Sequence, residues 1–269
     1  MARTAACWLR SVAALACAFA ASAAGAHDSW LFRPDAPPPK GAAQFVFGTG
    51  TQYPIADSFS PPSSVSASGC VDAAGRMLPL RPFAQAGKLL LQTTRVDPNA
   101  LGCWAELGEQ AITLKPELVN VYLREIRPSA PLLARWAALR EQGLPWQERY
   151  RKFARIETSG RDTPAAALRA IRQPVNQPLE IVVSGEEPLL AGRAAAFQVL
   201  ANGAPVPLLA VELRSERSPI GIWSQSDAEG RLRFTLPFSG AWLLRATLLE
   251  ADGASGWQSR FVTLAFDAH

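Results

Sequence analysis

Two histidines stand in the 269-residue sequence, His27 and His269. That scarcity excludes much of catalysis. An HExxH zinc helix, a histidine cluster and a Ser–His–Asp triad built on an internal histidine cannot form. The sequence has no phosphate-binding loop and no GxGxxG after a strand. Acid pairs are not diagnostic, because 23 Asp and Glu offer too many combinations. No enzyme is expected. The residue with chemistry to offer is His27. As the first residue of a processed chain it would carry a free α-amine and an imidazole together. Two such nitrogens chelate a borderline metal such as Ni²⁺ or Cu²⁺. Asp28 adds a carboxylate as auxiliary ligand or supporting partner. The plainer alternative is that His27 is only the residue a signal peptidase leaves behind.

That chemistry requires a cut before His27, and residues 1–26 read as a secretory signal peptide. Arg3 and Arg10 give a sparse positive front, Ser11 to Ala20 an apolar run, and Ala24-Gly25-Ala26 a small-x-small site. The run is too short for a bilayer, which takes about 20 apolar residues. Cleavage between Ala26 and His27 is expected, with the mature chain in the periplasm and no integral span after processing. An uncleaved anchor and a lipoprotein through Cys17 are the alternatives. Removing Arg3 and Arg10 from 27 basic residues leaves 25 against 23 acidic ones. They are scattered without a groove-sized patch, so nucleic acid is not an expected partner.

Of four cysteines, Cys7 and Cys17 leave with the leader. Cys70 and Cys103 remain, and an even pair in an exported chain reads as one disulfide. It would close a loop worth about 3 kcal/mol. Two free buried thiols are the alternative.

The elements that must position these residues read as mainly β. With 48% hydrophobic residues and few charges the chain can bury a core. Short apolar runs broken by turn residues fill 27 to about 114: Gln44–Phe47, Val65–Ser68, Lys88–Thr94, Cys103–Leu107 and Ala111–Leu114. From Pro116 the spacing turns helical. One helix carries Leu118, Val121, Tyr122, Glu125 and Ile126, and a second, after Ser129, carries Leu132, Leu133, Trp136 and Leu139. A third is expected from Pro145 with Trp146, Tyr150, Phe153 and Ile156. The polar, Pro-containing stretch 159–178 reads as a linker. After it come seven strand candidates, from Leu179–Val183 to Gln258–Phe266, with an Asn202-Gly203 hairpin turn. The expectation is two immunoglobulin-like β-sandwich domains, 27–158 with a helical insert at about 116–157, and 179–269.

His27-Asp28-Ser29-Trp30-Leu31 after a leader resembles the HDxWL opening of a bacterial periplasmic family, a domain of unknown function associated with nickel and cobalt uptake. Glu148, Tyr150, Lys152 and Ala154 look like its E-x-Y-x-K-x-A helix. Pro178–Val182, Asp227–Gly230, Gly240–Ala246 and Thr263–Phe266 resemble later segments in the same order. The resemblance implies a pair of β-sandwiches handling Ni²⁺ or Co²⁺ beside a membrane metal-importer component. Members expected to bind metal generally have further histidines. This chain has none in its interior, so the metal role rests on His27 with Asp28. Glu148 and Lys152 are expected to be an ordinary i,i+4 ion pair. A different class of function, an envelope interaction or adhesion module indifferent to chelators, fits the same sandwiches.

Overall fold

The computed structural model describes residues 27–269. The expected leader, with Cys7, Cys17 and the residue Ala26 on one side of the expected cut, lies outside the described residues. The first half of the chain forms β1 (Asp28–Phe32), β2 (Ala42–Gly50), β3 (Val65–Asp72), β4 (Met77–Pro79), β5 (Arg81–Gln85), β6 (Lys88–Thr94) and β7 (Leu101–Leu114). Helices α1 (Pro116–Ile126) and α2 (Ala130–Glu141) follow, then the long strand β8 (Trp146–Thr158) and α3 (Ala165–Ile171). The second half is β9 (Glu180–Ser184), β10 (Ala194–Ala201), β11 (Ala204–Pro205), β12 (Ala210–Ser215), β13 (Ser218–Gln225), β14 (Arg231–Thr235), β15 (Gly240–Asp252) and β16 (Gly256–Ala268). None of the described helices is long and apolar enough to cross a membrane.

One eight-stranded sheet joins the two halves, in the order β13-β12-β15-β16-β8-β7-β3-β4. Every pairing in it is antiparallel except β8 with β16, which is parallel and joins residues about 109 positions apart in the chain. Strand pleating sends alternate residues to opposite faces. Ala154 and Ile156 of β8 enter the core beneath the sheet β1-β2-β6-β5, with Trp30, Phe45, Phe47 and Leu91. Trp146 and Tyr150, on that same face of β8, pack under α1 and α2 with Trp257 and Phe261. Phe153 points the other way, into the core that β9, β10 and β14 close with Phe197, Leu244 and Leu264. The fold is mainly β, and its sandwiches share one sheet.

The disulfide is formed: Cys70 and Cys103 are directly opposed on β3 and β7, with Cα atoms 4.0 Å apart. Both are fully buried in the core under β1 and β2.

Two of the three expected helices form. Pro116 opens α1, and Arg127 closes it in the left-handed conformation before Pro128. Its buried face is Val119, Tyr122, Leu123 and Ile126, leaving Leu118 and Val121 exposed. In α2, Trp136 and Leu139 are buried whereas Leu133 is exposed. The third expected helix is corrected: Trp146–Thr158 is strand β8, so the helical insert ends at Glu141. From Phe153 to Thr158 this strand is buried on both faces, which removes the alternation that marks a half-exposed strand. Apolar residues at 146, 150, 153 and 156 then mimic a helical period.

Residues 159–178, expected as a linker, carry α3, whose Ala167, Leu168 and Ile171 are buried. Arg155 of β8 donates to Ile171 O and Gln173 O, both at 2.9 Å, and pairs with Glu180 at 3.1 Å. Arg172 forks onto Glu157 at 2.7 Å. These buried guanidiniums tie the segment to the central sheet. Gly102 is where this segment presses on the sheet, since a Cβ there would lie 2.1 Å from Ile171 O. Gly102→Ala is therefore expected to lower stability by about 2–3 kcal/mol, read as a fall in the urea midpoint with unchanged slope.

Candidate functional site

The residues that meet at the beginning of β1 sit on one registered row of the central sheet. Ala154 on β8 pairs with Thr263 on β16, Thr263 with Arg245 on β15, Arg245 with Glu212 on β12, and Glu212 with Trp223 on β13. All lie across five neighbouring strands. Arg245 is a guanidinium set in the apolar run Trp242–Leu249, and it is almost fully buried. A buried charge of this kind must be paired. Glu212 supplies one partner, on Arg245 Nε, and is shared with Arg214 at 2.9 Å. The other partner is Asp28, whose Oδ2 accepts from Arg245 Nη1 at 2.9 Å.

Strand β1 is thereby held at three successive residues, two of them over the row and one beside it. Lys152 Nζ donates to the His27 carbonyl at 2.8 Å, Arg245 holds the Asp28 side chain, and Thr263 Oγ1 donates to Ser29 O at 2.6 Å. Ser29 and Thr49 share a further hydroxyl hydrogen bond at 2.6 Å. Trp30 then drops into the core edge-on to Tyr53, with ring centroids 5.7 Å apart. The HDxWL and E-x-Y-x-K-x-A segments meet here. On a strand, Glu148, Tyr150, Lys152 and Ala154 share one face at period two. The expected helical Glu148–Lys152 ion pair is corrected accordingly, and the two side chains have separate partners.

Glu148 lies four residues before Lys152 on the same face of β8, under α1. It accepts from Tyr122 Oη at 3.0 Å, from Trp146 Nε1 at 2.7 Å and from the Ser259 hydroxyl. Burial raises its pKa, against the pull of those three donors. Burial also raises that of Glu125, with Asp28 adding and Arg245 opposing. Lys152 is pushed down to about 8 by desolvation, which the Asp28 charge opposes. For Arg245 the desolvation is outweighed by Asp28 and Glu212, which hold its pKa above the ordinary value and keep it charged. The outer end of the row is capped by Trp223, with the Arg127 guanidinium 4.0 Å above its ring.

Beside the row is a cavity of about 210 Å³. His27, Asp28, Tyr122, Glu125, Arg214 and Arg245 reach it, and Leu118 and Val121 form its α1 wall. His27 and Asp28 are thus together, but in different roles. The Asp28 carboxylate is engaged by Arg245, which makes it a positioning group for the strand. His27 is half-buried at the cavity edge, held through its backbone. His269 is elsewhere. Its ring bonds Ser159 O at 2.7 Å, and six strand residues beyond Thr263 amount to about 20 Å. Among the described residues no three His, Cys, Asp or Glu side chains are grouped to hold a metal. A metal there would draw its protein donors from the His27 amine and imidazole.

Sequence reasoning singled out Lys152 only as a partner of Glu148, and gave Glu212, Arg245 and Thr263 no role at the site. Arg245 had a signal: a lone charge inside an eight-residue apolar run of a strand is an ion-pair demand. Its partners had none, because register across non-sequential strands is not written in the sequence.

A model of the family described as "Domain of unknown function (DUF4198)" matches residues 24–250. No curated protein matches the chain. Among solved structures, native α2-macroglobulin from Escherichia coli, spanning domains MG0-NIE-MG1, aligns at 11% identity and a TM-score of 0.22. That alignment covers 87% of this chain and 94% of that one. A stretch of titin domains aligns at 11% identity and a TM-score of 0.17, over 89% of this chain and 65% of that one.

Lys152 gives the seam a pH signature. Below about pH 8 the ammonium is charged in folded and unfolded chains alike, and the desolvation penalty is fully present. Between about 8 and the ordinary 10.5 the folded chain has released a proton that the unfolded chain still binds, so stability rises with pH. Relative to Lys152→Met, the wild type should gain about 2 kcal/mol between pH 8 and pH 10 in urea titrations. A constant difference across that window would contradict this assignment.

Proposed function

We propose, for a chain that belongs to the DUF4198 family, that the mature protein is a periplasmic accessory protein. In this reading it binds Ni²⁺ or Co²⁺ through the amine and imidazole of His27 and presents the ion to a membrane importer component. Cu²⁺ fits the same donors. The observation that carries the reading is the clamp on the first described residues. Lys152, Arg245 and Thr263 each hold one of His27, Asp28 and Ser29, so the terminus that cleavage would create lies fixed at a cavity mouth. A chelate whose backbone is already ordered loses less freedom on binding than a frayed terminus would. Asp28 serves by fixing the strand, and Glu125 contributes negative charge at the cavity wall. Protons compete for both nitrogens, so affinity falls as pH falls.

Calorimetry with Ni²⁺ on chain beginning at His27 tests this. One ion per chain is expected, with affinity reduced at least about tenfold by His27→Ala or by one Ala inserted before His27, a loss of about 1.4 kcal/mol or more. Equal affinity in mature wild type and His27→Ala would overturn the site. Asp28→Asn should weaken binding less than His27→Ala, and should lower stability because Arg245 loses a charged partner.

A further inference from the structure

The other end of β1 borders a second, larger cavity of about 530 Å³. Its apolar wall comprises Phe32, the Tyr53 ring, Ile55 and Phe59, and Ile55 is 59% exposed despite its size. Its polar wall contains Glu216 from the β12–β13 turn and Asp267 near the end of β16. Neither makes an ion pair among the described residues, and Glu216 accepts only the Ala241 amide at 3.1 Å. Between the two walls is Tyr53, 5% exposed, whose hydroxyl has no hydrogen-bond partner among the described residues. Burial, and then the negative charges of Asp267 and Glu216, push its phenol well above the ordinary value, so it stays protonated. Its ring is buried while its hydroxyl is not sealed off, and it opens into the cavity beside two free carboxylates. The remaining charges divide by depth. Glu157 is already matched by Arg172 and Asp267 is half-buried, while Glu216, Arg33, Asp35 and Lys88 are exposed toward the mouth.

We propose that this cavity binds a small organic cation, an amine with an apolar or aromatic body, its charge toward Asp267 and Glu216 and its body against Phe32, Ile55 and Phe59. The Tyr53 hydroxyl would accept a hydrogen bond from the ammonium. A bare metal ion would leave most of the volume and the whole aromatic wall unused, whereas aromatic faces and carboxylates together suit an organic cation.

The test is calorimetry on the mature chain with phenethylammonium as probe and 2-phenylethanol as its neutral counterpart. One saturable site is expected, at least about tenfold tighter for the ammonium than for the alcohol. Asp267→Asn should weaken it by about tenfold, and Tyr53→Phe by a smaller factor, each with an unchanged near-ultraviolet spectrum. Lys88→Ala, an exposed change that leaves the fold alone, should tighten it by removing a competing cation. His27→Ala should leave it unaltered, which separates this site from Ni²⁺ binding. No saturable binding, equal binding of the alcohol, weaker binding by Lys88→Ala, or displacement by equimolar Ca²⁺ or Ni²⁺ would each overturn the proposal.

Discussion

A guanidinium buried in the middle of a sheet imposes its needs on everything near it. Arg245 cannot shed its proton, so burial is tolerable only with carboxylates on hand. Glu212 comes from the neighbouring strand, at the cross-strand position directly opposite. Asp28 comes from the far end of the chain, and bringing it there fixes where β1 begins. Once Asp28 is seated, the His27 carbonyl meets Lys152, the Ser29 carbonyl meets Thr263, and Trp30 enters the core. The polar row and the hydrophobic interior are therefore not separate layers of organisation. Pairing one charge sets the register of a strand, and the strand's register decides which side chain is buried next.

Two covers share the face on which this happens. The sheet containing β1 occupies one end and α1 with α2 the other, and the polar row runs along the gap between them. Such a gap cannot be filled by apolar side chains from either cover, which explains why Lys152, Thr263, Glu148 and Ser259 interrupt otherwise apolar strands there. The hydrogen-bonded carboxylate of Glu148 links α1, through Tyr122, to β8 and β16. The cavity at His27 is what remains where the two covers do not meet.

Much of this was legible. Lys88–Thr94 stands in the structure as read, and so does Ala210–Ser215 among the seven later strand candidates, because each is a short run bounded by turn residues. The opposed Cys70 and Cys103 followed from counting thiols. Three features resisted for definite reasons. Trp146–Thr158 is buried on both faces for half its length, so no period distinguishes strand from helix. Asp28–Phe32 is short and opens on polar residues, so it carries no alternation worth reading, yet it holds the candidate site. The stretch 159–178 is rich in polar side chains because Arg172 and Gln177 are buried as polar partners, which composition alone reads as exposure. His27 and Asp28 were visible through chemistry; that Asp28 serves Arg245 depends on a pairing 217 residues distant.

The parallel pairing of β16 with β8 has a consequence for the order in which the molecule can be assembled. The last of the described strands in chain order is not at an edge. It occupies the centre of the sheet, between β8 and β15, and supplies Thr263 to the row and Leu264 and Phe266 to a core. Until those residues are available, the two halves have no backbone ladder between them, and β8 and β15 both expose an unpaired edge. Closure depends on contacts of very large sequence separation, which form slowly. A chain built in this way stays open until β16 is available to pair with both β8 and β15. Its vulnerability is the mirror image: loss of Gly256–Ala268 would remove the strand that holds both halves in one sheet.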